Sequence, residues 1–158
     1  MKESNNFINY IGTLFFVVVS VGLTLIFIEM RNNNSIQRSK FSHEMSLYFE
    51  NNKIDSAIEN DLYLKKPLLT TNKGRWSDKD LNNYLGFFEL LSDYVDAGSL
   101  NYKDVFDGFS DDVLIAYNNK EIIKYISNTR VEAKDNEYYI KFEKMAKSFE
   151  KEYKGTKK

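Results

Sequence analysis

The sequence predicts an all-α protein with one N-terminal transmembrane helix, followed by a small helical bundle of about five helices. Three observations lead to this prediction. A run of 22 uncharged residues extends from Phe7 to Ile28. The apolar residues that follow recur mostly with the period of an α-helix. One proline and seven glycines are the only strong helix breakers in 158 residues.

The uncharged run has the length of a membrane span. A helix of this length crosses a hydrocarbon core of about 30 Å, and the run lacks the cleavage site of a signal peptide. We therefore expect an uncleaved, single-pass anchor with the lipid bilayer as its first partner. Lys2 precedes the run, whereas Arg31, Arg38 and Lys40 follow it. Because basic residues favour the inner side of a membrane, the following domain is expected in the cytoplasm.

Weakly polar side chains occupy one side of this predicted span. Asn9, Thr13, Ser20 and Thr24 lie within about 60° of one another on a helical wheel. Small and hydroxyl-bearing residues in lipid often mark contacts between helices. We expect this packing face to mediate homo-oligomerisation or contact with a membrane partner. The alternative is exposure to lipid, with the hydroxyls bonded to their own helix.

Capping residues and apolar periodicity divide the rest of the chain into helices. Ser77 with Asp80 is typical of a capping box, and Gly98 is typical of the position after a helix end. The predicted helices begin near Ser35, Asp55, Ser77, Asn101, Ser110, Ile122 and Asn136. The resulting organisation is an N-terminal tail and transmembrane helix over residues 1–30, a soluble helical domain over 31–155, and a disordered tail over 156–158.

The third of these helices, which begins at Ser77, has an unusually wide apolar surface. Its large side chains cover an arc of about 200° on a helical wheel, which predicts neighbouring helices on two sides. Glu89 lies outside this arc, so a solvated side chain is the first interpretation. The alternative is a structural ion pair with Arg130, which ends a later apolar helix.

Composition argues against several classes of function. Removing Lys2, Glu3 and Glu29 from 22 basic and 23 acidic residues leaves 21 of each, so no nucleic-acid partner is expected. The absence of cysteine excludes disulfides and thiol catalysis. The sequence has no glycine-rich phosphate loop and no zinc-ligand array, and its single histidine is His43. We expect no metal, no cofactor and, on balance, no enzymatic activity.

One short stretch offers an enzymatic alternative. RSKFSH, from Arg38 to His43, resembles the Arg-x4-x6-His signature of the helical HEPN ribonucleases. The resemblance implies that His43 is the acid–base group and that Arg38 binds the RNA phosphate. Ser39 departs from the family, which favours Asn, Asp or His at that position. The stretch also lies on the first helix of the domain, whereas the family carries it on a late one.

Three longer stretches resemble a second family. YLGFFELLSDYVDAGSLNYKDVFDGF, EIIKYISNTR and NEYYIKFEKMAKSF are similar in order to bacterial and prophage-encoded, single-pass membrane-anchored helical domains of unknown function. The similarity covers about half of the chain. The matching positions are Phe88, Glu89, Gly98, Leu100, Arg130, Tyr138, Tyr139 and Phe142.

This second resemblance implies a fold and a location rather than a chemical activity. It implies an anchor in the bacterial inner membrane, and the basic residues after the predicted span favour a cytoplasmic helical domain. We therefore expect a membrane-anchored interaction or regulatory module that acts on protein partners. A more specific form of this expectation is a phage- or prophage-linked exclusion or defence protein. The HEPN-like ribonuclease is the alternative function.

Overall fold

The structure of the protein is a computed structural model that describes residues 25, 28–29 and 33–156. The chain divides into two compact units, Met1–Arg38 and Ser39–Lys158. The described residues of the first unit are helical and exposed. The second unit contains the helical bundle and the sites discussed below.

The described part of the chain contains six α-helices and one short 3-10 helix. The 3-10 helix Thr70–Asn72 lies between the second and third α-helices. The α-helices are α1 (residues 33–51), α2 (Lys53–Tyr63), α3 (Asp78–Asp96), α4 (Tyr102–Tyr117), α5 (Lys120–Ala133) and α6 (Ile140–Thr156).

Helix α3 lies at the centre of the bundle. It packs against α2, α4 and α6, and α1 joins it through Phe49, whose ring contacts Phe87 and Phe88. Tyr84 and Leu91 on the same helix are fully buried. The prediction that α3 has neighbours on two sides is therefore confirmed, and burial of this wide apolar face is the main source of stability.

Both ends of α3 are closed as predicted. The Ser77 hydroxyl accepts a hydrogen bond from the Asp80 amide at 3.3 Å, and the Asp80 carboxylate accepts one from the Ser77 amide at 2.9 Å. At the other end Gly98 has a φ of 70°, which favours glycine. The amide of Gly98 donates to the carbonyl of Val95, and that of Ser99 donates to the carbonyl of Tyr94. This is the Schellman arrangement.

Two predicted helix starts are wrong. Helix α4 runs through position 110 without a break, and Ser110 is buried with its hydroxyl 3.4 Å from the Tyr153 hydroxyl. Its hydroxyl therefore contacts another helix instead of capping a new one. Helix α6 begins at Ile140 and not near Asn136, because Tyr139 has a φ of 59°, outside the right-handed helical region.

The segment between α2 and α3 is held by groups distant in sequence. The carboxylate of Glu121, in the first turn of α5, accepts the amides of Leu68 and Leu69 at 2.9 and 2.8 Å. Gly74 closes the segment, since a Cβ there would lie 2.2 Å from the backbone of Leu68. Hydrogen bonding to the Glu121 carboxylate outweighs its burial and lowers its pKa. This segment is therefore a fixed part of the bundle.

The membrane part of the fold prediction is wrong. Among the residues that the structure describes, no helix is long and apolar enough to cross a bilayer. This finding contradicts the predicted N-terminal transmembrane helix and the predicted single-pass localisation at the inner membrane. From residue 33 onward α1 reads NNSIQRSKFSHEMSLYFEN, in which charged and amide side chains interrupt the apolar ones.

Most of the predicted span cannot be compared with the structure. Residues 7–24, 26 and 27 lie outside the described residues. The predicted packing face, formed by Asn9, Thr13, Ser20 and Thr24, lies there as well. The domain boundaries predicted after residues 30 and 155 stay predictions.

Candidate functional site

An open cleft lies on one side of the second unit. It is formed by the second half of α1, the start of α2 and the face of α3 that turns toward both. Its volume is about 820 Å³, which is within the usual range of about 300–1,000 Å³ for ligand pockets. We treat this cleft as the candidate functional site.

Aromatic rings form the walls of the cleft. The rings of Tyr48 and Phe87 are stacked, with centroids 6.1 Å apart. Those of Phe41 and Tyr94 meet edge to face at 4.9 Å. Tyr48 is 61% exposed and Leu90 is 41% exposed. Large apolar side chains that stay this accessible in a concave site are available to a partner.

Gly86 lies on α3 between these walls. A Cβ added at Gly86 would meet no atom within 4 Å, so packing does not require a glycine there. Glycine inside a helix is destabilising by about 0.5–1 kcal/mol relative to alanine. The missing side chain keeps the floor of the cleft empty, although it weakens α3.

Asp55 is the unusual polar group of the cleft. It is the third residue of α2, where a carboxylate normally accepts the amide of the N-cap residue. Here the N-cap is Asn52, and its amide already donates to the carbonyls of Tyr48 and Phe49 at 3.1 and 3.2 Å. Asp55 is 2% exposed, and its Oδ1 has no hydrogen-bond partner within the described structure. Burial raises the pKa of Asp55 to about 6.

The charge of the cleft is negative. Of the described residues that line it, Glu44 and Asp55 are acidic and none is basic. The amides of Asn52, Asn82 and Asn83 supply the remaining polar side chains apart from tyrosine hydroxyls. Asn82 is held in place because its Oδ1 accepts the Tyr139 hydroxyl at 2.8 Å. The site therefore offers acceptors and aromatic faces to a ligand.

The structure brings Glu89 and Arg130 to the start of α6, each with its own partner. Glu89 accepts the amide of Phe142 at 2.5 Å and so caps α6. Burial raises its pKa, against the opposing effect of this hydrogen bond. Arg130 donates from Nε to the Tyr138 carbonyl at 2.9 Å and from Nη1 to Glu143 at 3.2 Å. Both side chains therefore fix the position of α6.

The two residues of the ribonuclease hypothesis lie on α1. Arg38 belongs to the first unit and His43 to the second, and both are exposed. Among the described residues, no side-chain hydrogen bond involves His43. Within the same residues, no group of three or more His, Asp or Glu side chains is placed to hold a metal ion.

The sequence carried two signals for the cleft that the first interpretation missed. Asp55 precedes Ile58 and Leu62 by three and seven residues, and therefore shares their apolar face of α2. An acid on such a face is a candidate buried group. Gly86, in the middle of a strongly helical apolar stretch, was the second signal.

Comparison with known protein families supports a domain family of unknown function, as the second resemblance implied. No curated protein and no solved structure matches the chain. A family model described as "Domain of unknown function (DUF4760)" matches residues 14–149. The match does not show that the protein is bacterial, prophage-encoded or anchored in a membrane. Because it spans more than half of the sequence, the chain belongs to the DUF4760 domain family.

Proposed function

We propose that this domain is a non-enzymatic interaction or regulatory module that binds a segment of a protein partner in the cleft between α1, α2 and α3. The observation that carries the proposal is the open, aromatic-walled cleft above Gly86. Aromatic residues are enriched in protein interfaces, and a groove between helices is a common receptor for peptide segments.

The chemistry of the cleft favours binding over catalysis. Its polar side chains are amides, tyrosines and two carboxylates. Within the described residues, no hydrogen bond of the cleft links a nucleophile to a base, as covalent catalysis requires. The exposed positions of Tyr48 and Leu90 would place apolar surface against a partner.

Substitution of Gly86 tests this proposal without damaging the fold. Short peptides selected from a displayed library on the full chain are expected to lose binding to Gly86→Leu by at least about tenfold, because the new side chain fills the cleft. The melting temperature should stay equal or rise, since leucine is a better helix former than glycine. Gly155→Leu is the matched control, because Gly155 also has open space around it and lies outside the cleft.

Selected peptides that bind Gly86→Leu as tightly as the unmodified chain would overturn the proposal, as would a selection that enriches no peptide. Sedimentation of the unmodified chain and of Gly86→Leu tests whether a second copy of the chain occupies the cleft. If Gly86→Leu converts an oligomer to a monomer, a second copy of the chain fills the cleft and the partner-segment proposal is wrong.

Two finer hypotheses depend on resemblance alone. A phage- or prophage-linked exclusion or defence role is the specific form of the interaction module. The HEPN-like ribonuclease is the alternative, with Arg38 and His43 as its active residues. RNA cleavage or toxicity on overexpression that survives His43→Ala removes the ribonuclease hypothesis.

A further inference from the structure

We infer that the cleft selects partner segments that place a lysine or arginine side chain on Asp55. This inference rests on the proposed function, since it names the chemistry of the segment that the cleft binds. Among the described residues that line the cleft, one carboxylate oxygen is buried and without a partner, Asp55 Oδ1, and the inference starts from it.

Asp55 differs from the other nearly fully buried acid of α2. Asp61 is 1% exposed, and it accepts hydrogen bonds from Lys66, Arg75 and the Trp76 indole. A buried acceptor is normally satisfied in this way. The Asp55 carboxylate lines the cleft with Oδ1 unpaired, and a donor from a ligand would complete it.

Charge and shape both indicate that this donor is a cation. The described lining contains the carboxylates of Glu44 and Asp55 and no basic side chain that would neutralise them. Lysine and arginine carry a long apolar stem below the charged group, which would lie along Met45 and Leu90. The ring faces of Tyr48 and its neighbours attract cations.

Other ligand classes fit the site less well. A neutral apolar side chain would cover Asp55 and leave its oxygen unpaired, which is unfavourable for a buried acceptor. An acidic side chain would bring like charges together in a partly dehydrated cleft. A basic side chain is the class that both pairs the carboxylate and uses the aromatic walls.

Defined peptide libraries on the immobilised full chain test this inference. The libraries are identical except for one central residue, which is lysine, arginine or norleucine. The lysine and arginine libraries are expected to be retained at least about tenfold more than the norleucine library, because a charge-assisted hydrogen bond is lost with norleucine. The preference should disappear on Asp55→Asn, which keeps the shape of the side chain and removes its charge.

Two controls separate the possible failures. Glu44→Gln, at an exposed position on the rim, should retain most of the preference. If all three libraries are retained equally and Gly86→Leu abolishes their retention, this inference is wrong. The proposed function would still stand, because the peptides bind in the cleft. Retention unaffected by Gly86→Leu, or no retention of any library, overturns both. A preference for basic peptides that persists on Asp55→Asn also overturns the inference.

Discussion

Asp55 and Asp61 are both nearly fully buried on α2, and their surroundings move their pKa values in opposite directions. At Asp61, burial opposes ionisation, but hydrogen bonds from Lys66, Arg75 and Trp76 outweigh it and lower the pKa. Asp55 lacks such partners, so burial raises its pKa to about 6. The sequence shows both as acids on one helix. The difference arises only when distant residues are folded against them.

Asp55→Asn is expected to stabilise the free protein at neutral pH. The folded pKa is about 6 against an ordinary 3.8. With about 1.4 kcal/mol for each pKa unit, the buried charge destabilises the fold by up to about 3 kcal/mol above pH 6. The stabilising effect of Asn should grow as the pH rises from about 4 to 6 and then stay constant. Urea unfolding at several pH values measures it, and an Asp55→Asn protein less stable than the parent at pH 7 would contradict it.

Asp61→Ala should have the opposite effect at pH 7. Removing this carboxylate leaves Lys66, Arg75 and the Trp76 indole without their shared acceptor. Because Lys66 and Arg75 are more than half exposed and regain water, the loss comes mainly from the unpaired Trp76 indole and is about 1–3 kcal/mol. Asp107→Ala is the control, because its pair with Lys103 is largely exposed and should contribute little to stability. Equal losses of urea stability for the two variants would show that burial of Asp61 is unimportant.

The elements differ in how far local sequence determines their limits. The capping box of Ser77 and the left-handed Gly98 are local signals, and both ends of α3 were predicted from them. The start of α6 follows the left-handed Tyr139, and its first turn is held by Glu89, a residue 53 positions away that accepts the Phe142 amide. No local pattern reports a contact of this kind, so the predicted start of α6 was wrong.

Glu89→Ala is expected to weaken α6 in particular. The Phe142 amide would lose its acceptor at a helix start, a loss of about 0.5–2 kcal/mol. Amide hydrogen exchange should then become faster in the first turn of α6 before it changes in α3. Glu89→Gln keeps an oxygen acceptor and should lose less. If Glu89→Gln and Glu89→Ala are equally destabilised, or if exchange in α6 is unchanged, Glu89 does not act as a cap.

At the scale of the whole molecule, periodicity predicted the all-α bundle correctly because burial of a helix face repeats along the chain. Hydropathy alone led to the membrane prediction, which the described helices contradict. Asp55 and Gly86 were local signals for the cleft, but its shape could not be predicted from them. Its walls come from Tyr48 and Phe87, and its buried acid, Asp55, comes from a third helix. How the three helices pack together is a property of the folded bundle.

The acids of the bundle form two groups that together determine how the stability of the whole protein depends on pH. Burial raises the pKa of Asp55 to about 6, and burial with a hydrogen bond shared with Glu59 raises that of Asp112 to about 7. Asp61 and Glu121 are examples of the second group, whose pKa values are lowered. Acids with a raised pKa stabilise the fold at low pH, and they lose that effect as the pH rises from their ordinary pKa to their pKa in the folded protein. Acids with a lowered pKa stabilise the fold at pH values above their ordinary pKa.

We therefore expect maximum thermal stability near pH 4 and a decline from about pH 4 to 7, because over that range the unfolded chain ionises Asp55 and Asp112 while the fold keeps them protonated. Melting temperatures at constant ionic strength measure the profile. The double variant Asp55→Asn, Asp112→Asn should flatten the decline between about pH 4 and 7, because neither amide titrates. Asp107→Asn, at an exposed position, should keep the parent profile. A parent melting temperature that rises steadily from about pH 4 to 7 would show that Asp55 and Asp112 do not govern the pH dependence, since acids with raised pKa values can only destabilise the fold over that range.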